Sequence, residues 1–365
     1  MKIGLFLGAG ASAPFGMPPT VELRNKLQKF TYNDVEEEIL QSFLTESKFL
    51  DIEYVLQAVR DIIEFSRSKG GNYFFTHGKD GIFRYQKGTV PFDTFINKVV
   101  QAETSLEDFV YENYRWKTSS EELLLQIYDK IIEFLKNHSN SVNIFTTNYD
   151  RVIEEYCRLR EKYQCIDGFE RQPPHSEISQ WTGNFNVKKN PNGPENIYLY
   201  KLHGSLNWKE RANYGIVKTL EEGKTPDLNF IRNLVVMPTL SPKIEEEQDP
   251  FKTIISNFIK FMKNADACIV IGFSFRDDRL NGIFKSFIEN GKVLIIISPS
   301  SMEKTCKNLL KVDVPKDFDK SMVIKHAPID GNVWCIPHKL DEKSIPHDLE
   351  IAWANIKNTI EPQTN

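Results

Sequence analysis

The run Val142–Phe145 is apolar, and Thr146-Thr147-Asn148-Tyr149-Asp150 follows it with a cluster of polar groups. Lys201-Leu202-His203-Gly204-Ser205 puts an imidazole at the end of a second strand-like run, Ile197–Leu202, and directly before a glycine. Open parallel sheets bind ligands just beyond the carboxyl ends of their strands. An imidazole presented there can do acid–base work near neutral pH. Each stretch also has a plainer reading. Thr147 or Asn148 would serve as the cap of the helix that carries Ile153 and Tyr156, although capping needs one polar residue and not a cluster. A lone histidine is more often structural than catalytic. His77, His175 and His347 lie in polar or proline-flanked stretches and read as surface groups.

Two further stretches suit an anion. Ile3–Leu7 runs straight into Gly8-Ala9-Gly10-Ala11-Ser12. Glycines permit positive φ and close backbone approach. The N–H groups from Gly8 to Ser12 are expected to line an anion site, with the Ser12 hydroxyl as a further donor. A doubly wound fold places dinucleotide phosphates after its first strand. Gly-x-Gly also occurs at many tight turns, and the third glycine of the usual dinucleotide fingerprint is missing here, which speaks against an ordinary dehydrogenase. The strand-like Cys268–Gly272 likewise ends in Gly272-Phe273-Ser274, which suits a second phosphate or ribose contact. The charged Arg276-Asp277-Asp278-Arg279 then reads as a helix start whose acids favour the dipole, with no part in catalysis.

The elements that must hold these groups follow from apolar spacing. Ile3–Leu7, Val142–Phe145, Cys268–Gly272 and Val293–Ile297 lack polar alternation, as strands covered on both faces do. Ile197–Leu202 and Leu234–Met237 are two more candidates, and Asp150–Arg160 and Asp277–Glu289 are amphipathic. Strand, loop, helix, strand is the grammar of an α/β fold with a Rossmann-like, doubly wound parallel sheet. Residues 31–140 break that grammar. Val35–Phe43, Ile52–Phe65, Phe92–Glu103 and Glu121–Leu135 carry helical spacing, with a loop or small hairpin between Gly70 and Gly88. They are read as a helical module, inserted between residues 1–30 and 141–310 of the Rossmann-like domain, with 311–365 as a C-terminal extension. Thr20 is expected to cap a helix carrying Val21, Leu23 and Leu27, and Gln164–Glu195 reads as an irregular lid.

A net charge of −4 argues against whole-surface attraction to nucleic acid, so no direct nucleic-acid binding is expected. Five cysteines, with no Cys-x-x-Cys, suggest neither a disulfide framework nor a four-cysteine zinc site. The N-terminal apolar run is too short for a signal peptide, and no stretch has the roughly 18 apolar residues of a membrane span. A soluble cytoplasmic protein is expected.

In their order, the four stretches resemble the sirtuin superfamily. Sirtuins carry a Gly-Ala-Gly-x-Ser loop followed by Gly-Ile-Pro, matched by Gly8–Ser12 and Gly16-Met17-Pro18. Their Asn-x-Asp, His-Gly and Ala-Asp…Gly-Thr-Ser elements are matched by Asn148-Tyr149-Asp150, His203-Gly204, and Ala265-Asp266 with Gly272-Phe273-Ser274. The departures are as informative. The zinc module with two cysteine pairs is absent, since no cysteine lies between Cys165 and Cys268. Pro19-Thr20-Val21 replaces Asp-Phe-Arg, Thr147 replaces the Gln before the asparagine, and Ser298 replaces the Asn that reads the adenosine ribose. The pattern looks like the bacterial sirtuin-like effectors of anti-phage defence, which destroy NAD.

That resemblance implies an NAD glycohydrolase, with NAD as substrate and no metal. Gly8, Ala9, Gly10 and Ser12 would hold the pyrophosphate, and Thr147, Gly272, Ser274 and Ser298 would complete the NAD site. Asn148 would orient ribose hydroxyls or water, Asp150 would hold the nicotinamide amide or support the cation, and His203 would accept a proton. Implied partners are further copies of the chain and a second defence component, such as a hexameric DNA-translocase ATPase or an Argonaute-like protein. An NAD-dependent protein deacylase and a non-catalytic NAD or ADP-ribose sensing module stay open as alternatives.

Overall fold

The computed structural model describes residues 1–27, 59–63, 65–66, 82–85, 88–171, 178–187, 193–211, 215–220, 230–235, 248–300, 305–311, 324–326, 332–336, 349–350 and 353–354. The helix expected over Val35–Phe43 and the histidines His77, His175 and His347 lie outside the described residues. In chain order the first elements are β1 (Ile3–Leu7), α1 (Thr20–Leu27), β2 (Ile82–Tyr85), β3 (Gly88–Pro91), α2 (Phe92–Tyr114) and α3 (Glu121–His138). Next come β4 (Val142–Thr146), α4 (Val152–Leu159), β5 (Tyr163–Ile166), β6 (Gly168–Arg171), β7 (Ile178–Asn184) and β8 (Glu195–Lys201). Then follow β9 (Gly204–Arg211), β10 (Gly215–Thr219), β11 (Phe230–Val235), α5 (Phe251–Asn264) and β12 (Ala267–Ile271). The last are α6 (Asp278–Glu289), β13 (Val293–Ile297), β14 (Ile324–His326) and β15 (Asn332–Ile336).

The chain divides into two compact units, one of Met1–Met17, Arg115–Val236 and Lys243–Asn365, the other of Pro18–Tyr114 and Met237–Pro242. The first is an α/β fold around a sheet of order β14-β15-β13-β12-β1-β4-β8-β5. Seven strands run parallel, and β14 pairs antiparallel on the edge. Every residue of β1, β4, β12 and β13 is buried, which is why these strands read as apolar runs, broken only in β4 by the buried Asn143 and Thr146. The chain fills the sheet toward β4, β8 and β5 on one side of β1 and toward β12, β13 and β15 on the other. The strand order therefore reverses at β1.

Register aligns the ends of these strands. Lys201 pairs with Thr146, Thr146 with Leu7, Leu7 with Ile271, and Ile271 with Ile297. One row of residues crosses five strands, and each chemical stretch leaves the sheet from it. Beneath that edge, the ring of Phe6 lies 5.6, 4.9 and 5.1 Å from those of Phe258, Phe273 and Phe284. Phe145 likewise stacks on Tyr200 at 4.7 Å and meets Phe261 at 5.0 Å. Burying aromatic side chains of this size stabilises by about 2–3 kcal/mol each, so the strand ends stand on a rigid base.

Two expectations need correction. Gln164–Glu195 was expected to be irregular, but much of it forms β5, β6 and β7. Leu234–Met237 was expected to be a core strand. Its described part belongs to β11, in a separate antiparallel sheet of order β11-β9-β10-β7-β6. The cause is local. The β6–β7 register shifts between Gly168 and Phe169, and Gly168 has φ +83° with the Trp181 ring over it. Such a bulge breaks the regular alternation by which a strand is read. Phe169, Trp181 and Trp208 pack with centroids 4.9–6.4 Å apart and give this sheet its apolar face.

In the second unit, β2 and β3 form an antiparallel hairpin that overlaps the loop or small hairpin expected between Gly70 and Gly88 and runs on to Pro91, followed by the 23-residue α2. Arg60 bonds Glu103 at 3.1 Å and Glu107 at 3.0 Å, two acids one helical turn apart on α2. Helix α1 begins at Thr20 itself, so Thr20 is its first residue and not its cap.

Candidate functional site

The loop after β1 makes two short 3₁₀ turns, Ala9–Ala11 and Ala13–Phe15. Its glycines are explained by backbone contact with the loop after β12. A Cβ on Gly8 would stand 2.5 Å from the Cα of Phe273, and one on Gly10 would stand 2.8 Å from the Cα of Gly272. Gly272 has φ +67°, and a Cβ there would meet the Ala11 nitrogen at 2.4 Å. The expected row of open amides is corrected accordingly. The N–H groups of Gly8 and Gly10 donate to the carbonyls of Ile271 and Gly272 at 2.9 and 3.0 Å. Those of Ala11 and Ser12 close the first turn onto the carbonyls of Gly8 and Ala9. Short turns tighten a loop by spending its own donors, and the sequence does not display that.

This interlock yields a prediction. Gly272→Ala forces a Cβ into backbone at positive φ, so it should destabilise the fold by about 3 kcal/mol or more. Gly291→Ala, also at positive φ but with open space around it, should cost no more than about 1–2 kcal/mol. Denaturant midpoints of the two variants check this.

Asn148 is buried and is tied to the first loop by its amide. Nδ2 donates to the Gly8 carbonyl at 3.0 Å and to Ser12 Oγ at 2.9 Å. Its backbone N–H donates to Thr146 Oγ1 at 3.0 Å. Both amide protons are used, and Oδ1 takes no hydrogen bond among the described residues. The reading of Thr147 or Asn148 as a cap of α4 does not hold. Asp150 Oδ1 accepts from the Val152 N–H at 3.0 Å, while Thr147 donates its backbone N–H to the Leu7 carbonyl.

Asp150 is 5% exposed. Burial pushes its carboxyl above the usual range, while the charge of Lys201 and a hydrogen bond from Ser12 pull the other way. Lys201, the last residue of β8, is 1% exposed and reaches under the loop. Its ammonium donates to the carbonyls of Asp150 and Tyr149 and to Glu154 Oε1, the last at 3.2 Å. Such a buried cation is tolerated because several oxygens replace its water. Sequence reasoning assigned Lys201 no part. A lysine closing an otherwise apolar strand was the available signal.

His203 stands where the chain passes from the parallel sheet into the antiparallel one. β8 ends at Lys201 and β9 starts at Gly204, whose φ of +81° lets the chain turn there. The corner is anchored to the Asn148 loop, since Ser205 Oγ and the Leu206 N–H both donate to the Tyr149 carbonyl, at 3.2 and 3.1 Å. The Tyr149 ring lies 6.5 Å from the imidazole. His203 is 3% exposed. Its Nε2 lies 3.5 Å from Asp277 Oδ2. Burial pushes the imidazole below its ordinary 6.5, the Asp277 carboxylate opposes that shift, and the Arg279 charge adds to it. Asp277 precedes α6 and caps it, its Oδ1 accepting from the N–H groups of Arg279 and Leu280 at 3.0 and 3.1 Å. Burial pushes this carboxyl up, but His203, the Leu280 N–H and Arg279 together hold it below the usual range. The helix-start reading of Asp277 is thus correct, and its second oxygen is also turned to His203.

Direct contacts therefore join Gly8, Ser12, Asn148 and Asp150, and a second set joins Gly8, Gly10 and Gly272. Ser274 is partly exposed, and its carbonyl accepts from Asn308. Ser298 is buried just past β13, and its backbone N–H donates to the Ile336 carbonyl at 3.1 Å. All of them lie beyond the strand-end row, at and around the reversal point, where doubly wound sheets bind ligands.

Residues 142–313 match the model of the SIR2-like domain. The matched span starts at β4 and ends past β13, somewhat under half of the 365 residues. It leaves out β1, which the sheet places between β4 and β12. Among solved structures, the chain is similar to a Sir2 homologue mutant in complex with ADP-ribose, at 13% identity over 97% of this chain and 93% of that one, TM-score 0.42. A Sir2 homologue–NAD complex matches at 13% identity over 96% and 90%, TM-score 0.40. Sir2 bound to acetylated peptide matches at 12% over 97% and 93%, TM-score 0.41. No curated protein matches the chain in sequence. Among the described residues, no helix is long and apolar enough to cross a membrane, and no three His, Cys, Asp or Glu gather as metal ligands would.

Proposed function

We propose that this SIR2-like domain binds NAD and hydrolyses it to nicotinamide and ADP-ribose. The carrying observation is that Asn148, just past β4, is hydrogen-bonded to the loop after β1, and that the corner carrying His203, just past β8, is tied to the Asn148 loop through the Tyr149 carbonyl. Loss of nicotinamide leaves positive charge on the ribose, and nicotinamide departs neutral with the bonding electron pair. Catalysis then needs positioning and polar stabilisation more than a strong acid. Asn148 Oδ1, the unspent end of a side chain locked by two hydrogen bonds, orients a ribose hydroxyl or the attacking water. His203 accepts the proton that this hydroxyl or water gives up as the new bond to ribose forms. Its lowered pKa keeps it neutral, and so able to accept, at neutral pH. Thr147 and Ser274, both partly exposed, supply hydroxyls toward the phosphates and ribose. Ala9 contributes an N–H that the first turn does not use among the described residues.

The same reading makes the chain an effector of bacterial anti-phage defence, assembled with further copies of itself and with a second component. The deacylase alternative differs in one respect that can be measured. The full chain is incubated with NAD and a chelator, with and without an acetyl-lysine peptide, and nicotinamide and ADP-ribose are separated by chromatography. Stoichiometric release of both without peptide is expected. Release that requires the peptide would make the domain a deacylase, and NAD binding without release would make it a sensor.

A further inference from the structure

The proton-accepting role of His203 leaves one question: which ring nitrogen accepts, and what holds the ring. Nε2 of His203 and Oδ2 of Asp277 are both buried and face each other at 3.5 Å, and neither makes a hydrogen bond among the described residues. The His203 and Asp277 side chains are only 4% and 8% exposed. Leaving both atoms without a partner in a buried site is costly, and a proton on Nε2 between them removes the cost.

We propose that Asp277 is the positioning residue of the site. It holds His203 as the tautomer protonated on Nε2 and leaves Nδ1 as the atom that accepts the proton in NAD hydrolysis. The role of Nδ1 rests on the proposed hydrolysis. The tautomer does not. The backbone explains why Asp277 is suited to this. Its Oδ1 is held by two N–H groups at the start of α6, so Oδ2 has a fixed direction. The side chain cannot rotate toward solvent without uncapping the helix. The groups that face the imidazole are Asp277, Arg279 and, through its ring, Tyr149. Arg279 Nη2 lies 3.7 Å from the same Oδ2. Arg279 therefore competes for the carboxylate and tempers its pull on the imidazole.

Asp277→Asn isolates the role, because asparagine caps a helix as well as aspartate does. It keeps an oxygen for the two N–H groups and places an N–H donor where Oδ2 was. That donor requires a bare Nε2, so the proton moves to Nδ1 and the accepting atom is lost. The tautomer is read by ¹⁵N NMR of histidine-labelled full chain, with His203 assigned by its loss in His203→Gln. The wild type is expected to show Nε2–H and Asp277→Asn to show Nδ1–H, with thermal midpoints within a few degrees of each other. In NAD hydrolysis, kcat should fall about 100- to 1000-fold, with KM changed less than about threefold. An unchanged tautomer in Asp277→Asn overturns the proposal whatever the rate does. If the wild type releases no nicotinamide, the hydrolase reading and the role of Nδ1 fail together, while the spectrum still decides whether Asp277 sets the ring.

Discussion

Asn148→Ala should lower nicotinamide release by about two to four orders of magnitude, the size expected when a positioning or charge-stabilising group is lost. Read as a helix cap, Asn148 would cost only about 1 kcal/mol when lost. The structure gives a different cost. The Asn148 amide bridges the Gly8 carbonyl and Ser12 Oγ, so its removal strips two partners from the first loop. That should destabilise the fold by about 1–3 kcal/mol. A lost rate could then reflect a loosened loop and not a missing Oδ1, and Ser12→Ala separates the two. It removes one anchor of the amide and leaves Oδ1 in place. Ser12→Ala should therefore keep the rate within about tenfold of wild type, while Asn148→Ala does not. Equal losses in the two variants, or more than a third of wild-type activity in Asn148→Ala, would show that Asn148 merely anchors the loop.

The parts of the molecule legible in the sequence are those where one physical cause acts alone. Strands β1, β4, β12 and β13 are buried on both faces, so their composition declares them. What sits just past their ends could be placed because a parallel sheet has only one such edge. The antiparallel sheet was not legible, since its β6–β7 register is shifted at Gly168, and in the sequence Pro173-Pro174 and Asn190-Pro191 read as loop. The boundary of the helical region was hidden for a related reason. Glu121–Leu135 has the same amphipathic period as Phe92–Glu103, and period does not say which core a helix serves. In the structure, α2 belongs to the second compact unit and α3 to the first. Asp277 shows the same limit within the site. Its place before an amphipathic run explained it fully as a helix start, and only the fold brings His203 to face its second oxygen. The glycines of the first loop were noticed for the right property, close approach, but what approaches Gly8 and Gly10 is the protein's own backbone at Gly272 and Phe273.

His203→Gln should abolish most NAD hydrolysis, by about two to four orders of magnitude, without abolishing NAD binding. Glutamine fills similar space and can hydrogen-bond, but it has no basicity near neutral pH, so the substitution removes only the capacity to take a proton. The pH profile of kcat/KM reports the free protein. Burial lowers the His203 pKa there, so the acid limb should have its midpoint below the ordinary 6.5. The sign follows from the role. As pH falls through that midpoint the imidazole gains a proton and can no longer accept one, so activity falls on the acid side and is flat above it. In kcat, bound substrate changes the surroundings of the ring and moves the limb from its position in the free protein. In His203→Gln the limb should be missing from the residual activity, because the titrating group has gone. Isothermal titration with NAD should give a Kd within about fivefold of wild type, since the loops after β1 and β12 are untouched. The rival reading is that His203 only fills the corner between β8 and β9. It gives the opposite pattern, with Gln retaining most of the rate and any acid limb surviving the substitution. Residual activity and the acid limb must move together for the base assignment to stand, so a variant that is slow yet still loses activity below the same pH would assign the limb to another group and leave His203 a structural role.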